Sequence, residues 1–286
     1  MSNLSTLIED IYDPLNKLSE GKPLPLTEED IDLALSNIKN SIISWATPSE
    51  RNAKFTLRMS NIGRPARQLW FQKRDEYRSS GIDGATQIKF LYGHLLEVLL
   101  LFFVKLSGHK LTDMQKEITV NGIKGHMDCK IDGEVVDVKT ASGYAFKKFK
   151  EGTLSEDDSF GYLAQLAGYE EAEGTNKGGF LVMNKETGDL CTYIPDDMEK
   201  PNIVSKIENV KEIIVENEPP ELCYEPIPEG ASGNMKLARG CTWCPHKIEC
   251  HKDANDGQGL RVFNYAKGPV YLTKIVKEPK VEEVNL

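Results

Sequence analysis

The sequence lacks any surplus of positive charge. Asp and Glu outnumber Lys and Arg, and the net charge is −9. This excludes a protein whose whole surface is a coat for phosphate, although a confined basic groove is compatible with it. Long apolar runs are also missing. The most apolar stretch, residues 98–104, is too short to cross a bilayer, and Glu97 adjoins it. The first residues, MSNLSTLIEDIYDPLNK, have no basic segment leading into an apolar one. No signal peptide is therefore expected, and the chain is expected in the cytoplasm with no membrane partner. There is no internal repeat and no low-complexity tract. Cysteine is sparse, at six residues, and in an intracellular chain such thiols are metal ligands or free groups more often than disulfides. What is present is 286 residues with an apolar share of 40%, enough for a sizeable core.

Residues 125–140, GHMDCKIDGEVVDVKT, read as two strands around Asp132 and Gly133, a dipeptide that favours a tight hairpin turn. That turn sets Ile131 opposite Glu134, Cys129 opposite Val136, Asp128 opposite Asp137 and His126 opposite Lys139. Side chains alternate across a strand, so His126, Asp128, Asp137 and Lys139 are expected on one face. Met127, Cys129, Ile131, Val136 and Val138 are expected on the other, in the core. Opposed carboxylates repel by roughly 0.2–1 kcal/mol, and a divalent cation between them would remove that repulsion. A solvated outer face carrying the same residues is the plainer alternative.

Around this hairpin the pattern suggests helices. Residues 1–55 read as an N-terminal helical extension, with a capping box at Thr27 and Asp30. Residues 56–83 mix Arg58, Arg64, Arg67, Lys73, Arg74 and Arg78 with Trp70, Phe71 and Tyr77. That composition suits a nucleic-acid backbone with base stacking, or equally the outer face of an amphipathic helix. Residues 84–107 form a helix apolar almost all round and expected to be buried. His94 and Glu97 share one of its faces, and a buried Glu needs a partner or a metal. A three-stranded meander, a polar loop at 141–158 carrying Lys147, a helix at 159–173, two strands and a helix at 202–217 follow. This order predicts a mixed sheet flanked by helices.

Glu97, Asp128 and Asp137 make an oxygen-rich set suited to Mg²⁺ or Mn²⁺. Lys139 would orient a water or stabilise a phosphoryl transition state. In this order the residues resemble the PD-(D/E)XK nuclease superfamily, in its RecB-like phage and CRISPR-associated exonuclease branch. The resemblance runs from about Met59 to Cys250. It rests on Ser60, Asn61, Ile62 and Gly63 with Arg67, on Gly93 and His94 with Glu97, and on Gly125 to Asp128. Asp137, Val138, Lys139 and Thr140 continue it, followed by Gln165, Leu166, Gly168 and Tyr169, and by Cys241, Thr242, Trp243, Cys244, Pro245 and Cys250.

The resemblance implies a restriction-endonuclease-like α/β (α+β) fold, with residues 56–220 as the nuclease core and 221–286 as a Cys-rich segment and tail. Glu97, Asp128 and Asp137 would hold the metal, with His94 and the carbonyl of Val138 as further ligands, and Lys139 would be the catalytic lysine. Arg67, Ser142, Lys147, Gln165 and Tyr169 would face DNA, Gln165 and Tyr169 alternatively bracing the lysine. The implied activity is a metal-dependent DNA exonuclease of phage type, working in the host cytoplasm in replication, recombination or DNA degradation, with a phage protein as a further partner. A structure-specific or nicking endonuclease and a catalytically silent DNA-binding protein are the alternatives. In that branch Cys241, Cys244 and Cys250 would join a cysteine just after Gly63 to hold a [4Fe–4S] cluster. Here that segment is Arg64, Pro65, Ala66 and Arg67. Cys223, or His246 or His251 with zinc, would have to substitute; otherwise the thiols hold no metal. The final residues are expected to form a short strand and a loose tail.

Overall fold

A computed structural model of the chain describes residues 4–47, 55–74 and 83–284. In chain order its helices are α1 (Leu7–Ser19), α2 (Glu28–Ala46), α3 (Ala66–Arg74), α4 (Gly84–Leu106), α5 (Gly143–Lys150), α6 (Tyr162–Glu173) and α7 (Ile203–Ile213), followed by short turns of helix. Its strands are β1 (Leu111–Thr112), β2 (Lys116–Val120), β3 (Ile123–Met127), β4 (Cys129–Ile131), β5 (Glu134–Ala141), β6 (Gly179–Asn184), β7 (Leu190–Tyr193), β8 (Ile227–Glu229), β9 (Asn234–Lys236), β10 (Arg261–Tyr265), β11 (Gly268–Lys274) and β12 (Glu283–Val284). Two compact units form. One comprises Met1–Gly63 and Tyr77–Asn209, the other Arg64–Glu76 and Val210–Leu286. Arg78 and Tyr77, part of the basic stretch, lie outside the described residues.

The first unit is built on a mixed five-stranded sheet in the order β1-β4-β5-β6-β7. Only β5 and β6 run parallel, and the chain between them contains α5 and α6, as a parallel connection requires a crossover. The mixed sheet flanked by helices expected from the sequence is therefore what forms. The hairpin turn is as expected: Asp132 and Gly133 both have positive φ, 52° and 93°, the requirement of a type I′ turn. Cys129 pairs with Val136 and Ile131 with Glu134.

One face of the sheet is closed by α1 and α4. Leu7 and Ile11 of α1 and Leu100 and Val104 of α4 pack with Cys129, Ile131, Val136, Val138, Leu181 and Leu190. The Tyr12 hydroxyl accepts the Leu190 N–H at 2.8 Å. Buried His109 joins α1 to the hairpin, with Nδ1 2.6 Å from Asp132 Oδ2 and Nε2 3.1 Å from Asp10 Oδ2. So α1 belongs to the core, whereas α2, started by its Thr27–Asp30 capping box, buries no residue. The other face meets α5 and α6, where Phe149 packs edge-on against Phe180 and Tyr193. The stretch read as a polar loop thus contains a helix, held by buried Phe146 and Phe149.

Two expectations about α4 and the meander need correcting. Only Leu100 and Val104 of α4 are buried, and Ile88, Phe90, Tyr92 and Leu99 are exposed. By length and composition alone the helix is long and apolar enough to cross a membrane. The expected three-stranded meander is broken as well, because β2 and β3 form a ribbon of their own, separate from β4.

Glycines allow the close approaches behind the site. Gly63 and Gly161 meet backbone to backbone, and a Cβ on Gly63 would lie 2.3 Å from the Gly161 carbonyl oxygen. Gly168 of α6 seats Met59, whose Sδ would be 2.1 Å from a Cβ there.

In the second unit, β8 to β12 form an antiparallel sheet in the order β12-β10-β11-β9-β8. Where one short strand and a loose tail were expected, Arg261–Tyr265, Gly268–Lys274 and Glu283–Val284 are three strands of this sheet. Buried Asn234 accepts the N–H groups of Val276 and Lys277 at 2.8 and 2.9 Å and donates to the Lys277 carbonyl at 2.8 Å. The basic, aromatic helix α3 belongs to this unit. Arg74 stacks on Trp70 at 3.8 Å and donates to the carbonyls of Ile214 and Glu216. Trp70 Nε1 also donates to the Glu216 carbonyl, at 2.9 Å. Packing within the unit thus engages Trp70 and Arg74.

Candidate active site

The site begins where the β4–β5 ladder ends. Its last pair is Cys129 with Val136. Beyond it the chain turns away at Asp128, and β3 pairs with β2. Asp128 then does with its side chain what a neighbouring strand would do with a carbonyl: Oδ2 accepts the Val138 N–H at 2.8 Å. His126 consequently does not face Lys139. It lies opposite Glu117 in the ribbon, exposed, with Nε2 3.9 Å from Glu117 Oε2. Only its carbonyl stays near the site.

Asp137 and Lys139 project from β5 towards the α6 side. Lys139 Nζ lies 2.6 Å from Asp137 Oδ2, 3.4 Å from Gln165 Oε1 and 5.0 Å from the Tyr162 ring centre. Gln165 Nε2 donates to the Tyr169 hydroxyl at 2.6 Å, which in turn donates to the His126 carbonyl at 2.7 Å. Gln165 and Tyr169 are buried. They back the lysine, the second of the two roles expected for them. Helix α6 is itself anchored by Asp158, whose carboxylate accepts the N–H groups of Gly161, Tyr162 and Leu163 at 3.0, 2.9 and 2.8 Å.

Glu97 of α4 completes the group. Gln115 Nε2 donates to its Oε1 at 3.1 Å. Burial, with Asp137 nearby, pushes Glu97 up to about 7, against the pull of Lys139. Asp128 is raised to about 6 by burial and by Glu97, again opposed by Lys139. Asp137 is raised to about 7 by burial and by Asp128, with Lys139 pulling the other way. Burial opposes the charge on Lys139, but Asp137 and Asp128 hold its pKa above the usual lysine range. Three desolvated carboxyls thus raise one another around a single ammonium, and a further positive charge would relieve them.

The donor chemistry fits Mg²⁺ or Mn²⁺. Asp137 is fully buried; the Lys139 ammonium meets its Oδ2 at 2.6 Å, and its Oδ1 has no hydrogen-bond partner. An unpartnered buried carboxylate oxygen such as Oδ1 is costly unless a further cation meets it. Among the described residues, no three His, Cys, Asp or Glu side chains converge tightly enough to enclose an ion by themselves. The carboxyls stand around Lys139 instead. His94 remains exposed on α4, and Val138 meets the site through its N–H.

The remaining sequence candidates are dispersed. Lys147 is exposed and 3.6 Å from Glu151. Ser142 precedes α5 and gives its carbonyl to Phe146. Arg67 lies in the second unit, where it is spent on the Pro220 carbonyl and on Cys250, with Nε 3.1 Å from Sγ. One residue was missed, Gln115, which also gives its N–H to the Asp128 carbonyl at 3.0 Å. Its only sequence signal is a position just before a predicted strand.

In the second unit Cys223, Cys241, Cys244 and Cys250 are near enough to sense one another's charge, although no three of them converge as metal ligands. Cys241 is pushed up to about 12, first by burial and then by Cys223, Cys244 and Cys250. Cys223 and Cys244 are likewise raised by burial, and each senses Cys250. The Gln68 and His246 amides donate towards Cys223 and Cys244. Cys129 and Cys191 are buried free thiols on strands, as expected.

No family model matches the sequence, and no characterised protein matches it in sequence. Solved structures are similar at 15% identity. SSO0001 has a TM-score of 0.38, with 76% of this chain and 96% of that one covered. An alkaline exonuclease, LHK-Exo, from Laribacter hongkongensis has 0.34, covering 66% of this chain and 94% of its own. The same enzyme in complex with dAMP has 0.33 over the same shares. At these scores the likeness assigns no activity.

Proposed function

We propose that this chain is a metal-dependent nuclease that hydrolyses phosphodiester bonds in DNA, acting from strand ends. The observation that carries this is fully buried Asp137, paired with Lys139 at 2.6 Å and set beside Asp128 and Glu97, three carboxyls around one ammonium. Glu97, Asp128 and Asp137 would hold Mg²⁺ or Mn²⁺. When bound, such an ion polarises the phosphate and lowers the pKa of a water. The chain's own part is positional and electrostatic. Asp128 is fixed by the Val138 amide, and Glu97 by Gln115. Lys139 is held by Gln165 within reach of Asp137. There its ammonium can meet the negative charge that grows on the phosphoryl oxygens.

The test is digestion of end-labelled linear and closed circular DNA with and without Mg²⁺. The expected result is Mg²⁺-dependent loss of the linear form with circles intact. Cleaved circles would make the enzyme an endonuclease on the same site. Lys139→Ala should lower turnover by about a hundredfold or more. Unchanged cutting by Lys139→Ala and Asp137→Ala would remove the assignment, and binding without any cutting would leave a silent DNA-binding protein.

We propose a second, structural group at the cysteines, which would have to draw the thiols together. Cys223, Cys241, Cys244 and Cys250 would supply four thiolates for zinc or a [4Fe–4S] cluster, with Cys223 in place of a cysteine after Gly63.

A further inference from the structure

Gln115 sits in conditions that an ordinary surface glutamine would avoid. It is exposed, in the three-residue link between β1 and β2. Its φ is 53°, and that of Asp113, two residues before, is 52°. A side chain other than glycine, asparagine or aspartate rarely takes this left-handed backbone, and glycine takes it freely. Strain of this kind persists where surrounding contacts hold it, and it gathers at functional sites.

The contacts here are specific. The Gln115 N–H donates to the Asp128 carbonyl at 3.0 Å, and its side-chain amide donates to Glu97 Oε1 at 3.1 Å. The Asp128 side chain is in turn fixed by Val138. One strained residue therefore ties the carboxylate brought by α4 to the strand break that presents Asp128. An amide on one oxygen of Glu97 fixes that carboxylate's rotation and leaves the other oxygen to turn towards a cation.

We propose that Gln115 is a positioning residue, which orients Glu97 for the divalent cation at the expense of local backbone strain. This rests on the nuclease reading above. A merely structural role and a positioning role predict opposite behaviour for Gln115→Gly, which relieves the strain and deletes the amide together.

The experiment compares wild type, Gln115→Gly and Gln115→Ala in three measurements. These are thermal unfolding without metal, Mn²⁺ binding by calorimetry, and the Mn²⁺ concentration giving half-maximal DNA cleavage. Gln115→Gly should unfold at the same temperature as wild type or higher. Its Mn²⁺ affinity should fall by about tenfold or more, as for other groups that orient metal ligands, with cleavage restored at high Mn²⁺. Gln115→Ala should lose the same affinity and keep the strain. If Gln115→Gly bound Mn²⁺ as wild type does, or lost stability and affinity together, Gln115 would have no positioning role. If wild type itself neither bound Mn²⁺ nor cut DNA, the nuclease reading would fall and this proposal with it.

Discussion

Tyr169 shows how much of the site is held by side chains that never meet a substrate. Its hydroxyl joins Gln165 to the His126 carbonyl in a buried setting. Tyr169→Phe removes that link and leaves the buried Gln165 amide without this partner, so it should cost about 1–3 kcal/mol in urea unfolding and lower turnover through a less firmly held Lys139. A variant with full stability and full turnover would show that the link is idle. His109 is a second such residue. It is buried between Asp10 and Asp132, and His109→Ala leaves a cavity and two carboxylates without their partner. Chemical unfolding should show a loss of at least about 2 kcal/mol. The sequence exposed Asp137 and Lys139 through alternation alone, because the turn residues fixed the register. It did not reveal Gln115, since nothing in Asp113, Met114 and Gln115 announces a positive φ. It did not show that Arg67 bonds the Pro220 carbonyl and Cys250, because a basic residue among aromatics looks the same whether it faces phosphate or a carbonyl.

Among the elements, α6 carries the most constraint. Its Gly168 is where Met59 enters. Gly168→Ala should destabilise by about 1–3 kcal/mol through overpacking. Combined with Met59→Ala it should cost clearly less than the two changes summed, a coupling that a double-mutant cycle measures. A cycle with no coupling would place the strain elsewhere. Helix α2 offers a pH-dependent counterpart. Lys105, foremost, and then Thr27 hold Asp30 down to about 2 from 3.8. A depressed acid contributes stability that is present above its unfolded pKa and lost as pH falls through its folded one. Asp30→Asn should therefore lower the melting temperature at pH 7, and the gap to wild type should close between about pH 4 and pH 2. A gap independent of pH would mean that the charge is not involved. Elements with strong local signals, such as α2 with its capping box and β5 with its turn, were legible. Helix α5 was not, because its lysines mask buried Phe146 and Phe149. The ribbon of β2 and β3 was not either, since the departure at Asp128 depends on tertiary pairing.

For the molecule as a whole, the sequence order of acidic residues and lysine carried the functional reading, while the division into units was hidden. Helix α3 lies between two pieces of the first unit in sequence and belongs with the C-terminal segment in space. The cysteine site is the prediction at this scale. Anaerobically purified protein should carry zinc, or iron with sulfide, in fixed ratio to the chain, and Cys223→Ser should lower that content whereas Cys191→Ser should not. Equal metal in both variants, or none in wild type, would exclude Cys223 as a ligand.

The detour of α3 has a consequence for synthesis. Residues of α3 leave the ribosome well before any of Val210–Leu286 exists. Trp70 and Arg74 must then wait, through the making of the entire first sheet, for the Ile214 and Glu216 carbonyls they finally engage. The nascent chain carries an apolar, cationic helix with no home for that interval, the condition in which chains aggregate or recruit chaperones. Ribosome-bound chains halted at Asn209 should therefore be cut by protease around α3, whereas chains halted after the C-terminal sheet has emerged should resist.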